Sequence, residues 1–274
     1  MNNVIVITGG GGVLCSCFAE SLAKTGTPIA LLDRSLEAAE RTAAKIASEG
    51  GIVKAYECDV LKKDHLEKVH NNILSDLGKC RVLINGAGGN SPLCTTDKEY
   101  FEDGDADCEE IKSFFSLDKA GFEFVFDLNL MGTLLPTQVF AKDMLGEKNC
   151  CVLNISSMNA YRPLTKIPAY SAAKAAVSNF TQWLAVHFAG QGIRVNAIAP
   201  GFFVTNQNRA LLFREDGTTT PRTDKILAAT PMKRFGKPEE LIGTLKWLID
   251  EDASGFVTGI TVPVDGGFSA YSGV

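Results

Sequence analysis

Val4-Ile5-Val6-Ile7-Thr8-Gly9-Gly10-Gly11-Gly12 decides the fold. Four β-branched residues in a row suit a strand buried on both faces of a parallel sheet, where polar alternation is not needed. The glycines that follow open an amphipathic segment, Val13 to Lys24, with Phe18, Leu22 and Ala23 on one side. In the order strand, glycine turn, helix, bare backbone can approach a pyrophosphate, and the helix N-terminus offers unpaired N–H groups and a positive dipole. The same alternation continues outward. Strands are expected at Pro28–Leu32, Ile52–Cys58, Arg81–Asn85, Cys150–Ser156, Ile193–Ile198 and Ile260–Val264. Helices are expected at Leu36–Glu49, Lys63–Leu77, from Asp118, at Ala169–Phe188 and at Pro238–Ile249. The fold class is therefore α/β: one unit over residues 1–274, a doubly wound parallel sheet with helices on both faces and its site at the carboxyl ends of the strands.

Composition narrows the functional classes. The chain is 45% hydrophobic and 22% charged, with a net charge of -5, which speaks against nucleic acid as a partner. The N-terminus has no basic segment ahead of its apolar run and reads as a strand, not a signal peptide. No apolar run approaches the ~20 residues that span a bilayer. Eight cysteines without zinc spacing fit reduced thiols of a cytoplasmic protein, and no metal site is expected.

Ser157 closes an apolar strand, and Tyr170 and Lys174 lie four apart in an Ala-rich helix, so that they share a face. A free tyrosine, with a pKa of ~10, is a poor base at neutral pH; an ammonium beside it favours the phenolate. These three suit proton transfer at a carbonyl oxygen, with Ser157 bonding that oxygen. At the end of the second strand stands Asp33, 24 residues after Gly9, where a carboxylate accepts from ribose hydroxyls and repels a 2′-phosphate. This favours NAD over NADP, with Arg34 beside it working the other way. Asp59 reads either as an adenine contact or as a helix N-cap, and Asn129, in an apolar stripe, either as a satisfied core amide or as a water-holding site residue. Pro136 is expected to kink its helix.

Two segments break the rhythm. An acidic insertion, about residues 91–118, holds eight acids and one lysine between 97 and 110, a local charge of -7. Asp103, Asp105 and Asp107 alternate as in a calcium loop, but Cys108 and Phe114 occupy the positions that need Gly and Glu, so a solvated loop or lid is expected. The loop at about 202–230 carries Arg209, Arg214 and Arg222, which with Arg162 suit a sugar carboxylate.

Taken in order, Thr8-Gly9 with its glycine run, Asp59-Val60, Asn85-Gly86-Ala87-Gly88, Asn129, Ser157, Tyr170-x-x-x-Lys174, Arg194-Val195-Asn196, Pro200-Gly201 and Val264-Asp265-Gly266-Gly267 resemble the short-chain dehydrogenase/reductase family over nearly the whole chain. The resemblance implies a seven-stranded Rossmann sheet, a nicotinamide cofactor, a catalytic tetrad of Asn129, Ser157, Tyr170 and Lys174, and a homotetramer or homodimer built through the long helices. It implies cofactor contacts at Gly9, Gly10, Gly11, Gly12, Val13, Leu14, Asp33, Arg34, Asp59, Val60, Asn85, Gly86, Ala87, Gly88, Tyr170, Lys174, Pro200, Gly201, Phe203 and Thr205. Substrate contacts are expected at Asn90, Ser157, Asn159, Arg162, Arg209, Arg214 and Arg222. Val13 and Cys15 stand where the family's glycine motif has its last two glycines, and Gly86 replaces the second asparagine of Asn-Asn-Ala-Gly. Within the family, the glycine run, the insertion, Gly121–Asn129 and the C-terminal ending resemble the branch that oxidises D-mannonate or reduces D-fructuronate. The alternatives are a reductase of a neutral polyol, sugar or 3-oxoacyl substrate on the same scaffold and a non-catalytic dinucleotide-sensing protein.

Overall fold

The β-branched run becomes β1 (Asn3–Thr8), the central strand of a computed structural model that describes residues 3–205 and 209–273. The helix after the glycines is α1 (Val13–Ala23), followed by β2 (Ile29–Asp33), α2 (Leu36–Ser48), β3 (Val53–Glu57), α3 (Lys63–Asp76) and β4 (Lys79–Asn85). The second half comprises α4 (Lys119–Phe126), a π-turn (Asp127–Met131), α5 (Gly132–Phe140), β5 (Cys150–Ile155), α6 (Pro168–Phe188) and β6 (Ile193–Pro200). Short α7 (Arg209–Leu212), α8 (Pro221–Ala229), α9 (Ile242–Ile249), α10 (Glu251–Ser254) and β7 (Thr261–Val264) complete the chain.

All seven strands are parallel, in the order β3-β2-β1-β4-β5-β6-β7. Side chains alternate across the pleat, and β1 shows it plainly. Val4 and Val6 join Leu66, Phe140 and Leu184 under α3, α5 and α6. Ile5 and Ile7 join Phe18, Leu22, Ile46 and Leu245 under α1, α2 and α9. The strand order reverses between β1 and β4, where Thr8 pairs in register with Asn85, and Asn85 with Asn154. This switch point opens a crevice at the carboxyl ends, where such sheets bind ligands.

Three expectations need correction. The irregularity of the fourth helix lies not at Pro136 but at the π-turn, because Asn129 draws the chain towards the β4 loop; α5 passes through Pro136. The run Lys119–Met144 is helical over 26 residues and long and apolar enough to span a bilayer, yet half of its most apolar window is buried inside the protein. The acidic insertion is exposed along most of 97–110 and is pinned at one buried acid. Asp105 is buried and accepts from Lys98 Nζ at 2.7 Å and from the Glu102 N–H at 2.9 Å. Within the 202–230 loop, α8 forms with Pro221 in its first turn and the Thr220 hydroxyl capping it; residues 206–208 lie outside the described residues.

Candidate active site

The glycine turn is shaped by close approach. Gly9 has φ +69°, and a Cβ there would stand 3.0 Å from the Ala87 nitrogen, so only glycine lets the turn lie against the β4 loop. Gly12 is the N-cap of α1 with no side-chain cap and no acid in the first turn, which leaves the helix N–H groups at Val13 and Leu14 for an anion. Asp33, at the end of β2, reaches back to this turn: its Oδ2 accepts from the Gly11 N–H at 3.0 Å and its Oδ1 from the Ser35 N–H at 2.9 Å. Each oxygen keeps a further lone pair for a hydroxyl. Arg34 beside it is exposed. An uncapped helix end and a carboxylate acceptor one strand away fit the pyrophosphate and ribose of a dinucleotide. Asp59 is not an N-cap: its Oδ1 accepts from the Leu61 N–H at 3.0 Å, while α3 starts after Lys62, and Val60 is buried next to it.

The two departures in the glycine motif and the β4 loop touch each other. A Cβ at Gly86 would stand 2.1 Å from Cys15 Sγ, so the cysteine side chain occupies the space above Gly86. Burial pushes the Cys15 thiol up to about 12, and it stays an unreactive packing group. Thr8, absent from the expected site residues, ties the neighbouring strand ends together. Its Oγ1 accepts from the N–H groups of Gly86 and Ala87 at 3.1 and 3.2 Å. The signal was available: Thr8 is the polar residue ending an apolar strand.

Two of the four expected catalytic residues, Asn129 and Lys174, close on Gly88, and Lys174 links them to Tyr170. A Cβ on Gly88 would stand 2.8 Å from Asn129 Oδ1 and 3.1 Å from Lys174 Nζ. Asn129 is fully buried, and its side-chain nitrogen donates to the carbonyls of Gly89 (2.8 Å) and Val125 (2.7 Å) while its Oδ1 accepts from the Gly89 N–H (3.3 Å). The side chain is thus a satisfied amide that clamps the π-turn to the β4 loop. Lys174 Nζ donates to the Ile155 carbonyl at 2.8 Å and lies 5.7 Å from the Tyr170 ring centroid. Ser157 sits just past the end of β5, opens a short 3-10 turn by accepting from the Asn159 N–H, and acts on the Tyr170 phenol against the rise that burial causes.

The charges differ from the expectation. Burial raises the Tyr170 phenol above its ordinary range, opposed by the bond with Ser157. Burial also lowers Lys174 from 10.5 to about 8. One N–H of the ammonium goes to the Ile155 carbonyl, and desolvation dominates both groups.

The profile of the family described as short chain dehydrogenase matches residues 3–215. The chain belongs to the short-chain dehydrogenase family. Among relatives of this dehydrogenase, an uncharacterized oxidoreductase of Haemophilus influenzae is 60% identical over 274 residues, covering 100% of this chain and 95% of the relative. The uncharacterized oxidoreductase UxuB of Bacillus subtilis is 55% identical over 269 residues, covering 98% and 95%. A crystal structure from Haemophilus influenzae, provisionally named a D-mannonate oxidoreductase and holding NAD, superposes with a TM-score of 0.95 at 60% identity over 100% of this chain and 97% of that one.

The dehydrogenase's expected substrate residues are more scattered. Asn159 is buried beside Ser157, with its Oδ1 lacking a partner among the described residues. Asn90 Nδ2 donates to Thr95 Oγ1 at 3.3 Å. The Arg162 guanidinium bonds the Tyr271 carbonyl, Arg214 bonds Thr218 Oγ1 at 3.3 Å, Arg209 lies over the Phe213 ring at 5.6 Å, and Arg222 is exposed near Glu99. Among the described residues, no hydrogen bond joins these guanidiniums to Ser157, Tyr170 or Lys174. On the cofactor side, the Gly201 N–H donates to the Val264 carbonyl (3.0 Å) after Pro200, Phe203 bridges to Gly236, and the Thr205 carbonyl accepts from the Arg209 N–H (3.0 Å).

Proposed function

We propose that this oxidoreductase transfers a hydride between NAD(H) and the secondary alcohol or ketone of a sugar acid, the D-mannonate/D-fructuronate pair. The observation that carries the reading is whole-length likeness at 60% identity to the Haemophilus influenzae structure that holds NAD under a provisional D-mannonate oxidoreductase name. Asp33 supports NAD over NADP, since its carboxylate repels a 2′-phosphate. The nicotinamide ring, when bound, supplies or accepts the hydride. Tyr170 gives or takes the proton at the substrate oxygen. Ser157, whose hydroxyl opposes the upward shift of the phenol, orients that oxygen. Lys174, close to Gly88, offers its remaining N–H groups to the nicotinamide ribose and its charge to the phenolate. Asn129 holds the β4 loop against the π-turn so that Gly88 stays within reach of both. The exposed Trp183 (55%) and Val186 (80%) on α6 support a homodimer or homotetramer through this helix.

NADH oxidation screened against D-fructuronate, related keto acids and neutral ketoses tests the substrate. Tyr170→Phe should lower turnover by at least ~100-fold while NADH binding, followed by fluorescence, stays nearly intact; retained turnover sinks the assignment. One observation favours a neutral polyol or sugar as second reading: among the described residues none of the four arginines hydrogen-bonds the tetrad, and three of them have other partners. If Arg209→Ala, Arg214→Ala and Arg222→Ala all leave the KM for the acid unchanged, that second reading prevails.

A further inference from the structure

The acidic insertion is a folded piece with its own closure. The Asp97 N–H donates to the Lys112 carbonyl at 2.9 Å and the Lys112 N–H returns to Asp97 Oδ2 at 2.7 Å. Inside, Lys98 bridges Glu102 and the buried Asp105. Contacts from this piece reach the two segments that follow β5 and β6 at the site. The Thr96 N–H donates to the Lys166 carbonyl at 2.9 Å, and Lys166 Nζ donates back to the Asp97 carbonyl at 2.6 Å. Glu99 pairs with Lys225 of α8 at 2.8 Å.

Lys166 is held in an unusual state. Its φ is +72°, a left-handed conformation that a side chain with a Cβ adopts only when the surroundings fix it. Here the insertion grips both its carbonyl and its ammonium. The next residue, Ile167, precedes Pro168 and is restricted by it; the Ile167 carbonyl accepts from the Ser171 N–H at 3.2 Å as α6 begins. Tyr170 lies in that first turn. The path from the insertion to the phenol is therefore four residues long and stiff at each step.

We propose that Lys166 is a positioning residue through which the insertion sets the start of α6 and hence the place of the Tyr170 hydroxyl against Ser157. The proposal rests on Tyr170 being the proton-transfer residue. It makes the insertion a fixed brace, not a lid, and gives the left-handed Lys166 a part in the geometry of the site.

Lys166→Met keeps the stem and removes the ammonium. It should lower kcat by about tenfold, as a displacement well under 1 Å would, with the KM for NAD within about twofold of the parent. Loosening the bond to Ser157 removes what opposes the raised phenol, so the inflection of the pH profile should move upward. Hydrogen exchange at the amides that follow Pro168, up to residue 172, should rise in the full-length protein, a readout that needs no substrate. Thr96→Pro deletes the other bond from the insertion side, through its missing N–H, and should produce the same exchange signature. Lys166→Gly relieves the left-handed cost, so it should match Lys166→Met in kcat without melting lower. Unchanged exchange at those amides for both Lys166→Met and Thr96→Pro overturns the brace. An active Tyr170→Phe would instead remove the catalytic reading and leave the exchange result to judge the brace alone.

Discussion

Lys174 stands in the site with a weaker hold on its proton than a lysine in water, and Tyr170 with a stronger one. As pH rises, the first proton to leave the pair is the lysine's, through about 8, and the phenol's follows. Alcohol oxidation, which needs the phenol ionised beside a charged lysine, should therefore gain from rising pH while Lys174 keeps its proton and bend downward above about 8. In Lys174→Met that inflection should be lost and the rise displaced to higher pH; an unaltered kcat/KM profile in this variant would show that the lysine takes no part. At this scale Ser157, Tyr170 and Lys174 were legible, because their types and their places at a strand end and on the following helix leave few other uses. The direction of the phenol shift was not, since it depends on how deeply the fold buries the hydroxyl, which the spacing of Tyr170 and Lys174 does not reveal. The arginines were illegible as well. Long side chains on loops choose partners such as the Tyr271 carbonyl that lie over a hundred residues away.

Among elements, α1 and the β4 loop meet at Cys15 and Gly86, and the fit is mutual. Gly86→Ala should cost ~2 kcal/mol in the native background, as overpacking does. In the Cys15→Ala background the cost should fall by at least ~1 kcal/mol, with the 2.9 Å approach to the Thr8 carbonyl remaining in both. Denaturant unfolding of the four proteins checks it, and simple additivity would contradict the contact. The π-turn was hidden from the sequence because its cause is tertiary: Asn129 bonds across to Gly89, while the Thr133 and Thr137 hydroxyls donate to carbonyls one turn back, Thr133 to Asn129 (2.8 Å) and Thr137 to Thr133 (2.7 Å). Helix α8 was missed although its start was signposted by Thr220-Pro221, since it is too short and polar to show a clear apolar stripe.

The molecule as a whole was the most legible scale, because alternating strand and helix patterns leave the parallel doubly wound sheet as the simple way to bury both faces. Its interior also stores thiols. Burial raises Cys15, Cys58 and Cys151 from 9.0 to about 12, and Cys80 well above its ordinary value. A folded state that keeps protons the unfolded chain gives up is fully favoured below 9 and loses that advantage as pH climbs towards 12. Lys174, lowered to about 8, acts in the opposite sense between 8 and 10.5, one group against four. The melting temperature should accordingly fall between pH 9 and 11; a flat or rising curve would count against thiols this deeply buried. The packing of Cys15 on Gly86 carries a last implication, for descent. A lineage that moved side-chain bulk from the β4 loop to α1 could not enlarge one site before reducing the other without a collision. The passage between the two arrangements runs through a variant small at both positions, so relatives with bulk at position 86 should carry a small residue at position 15.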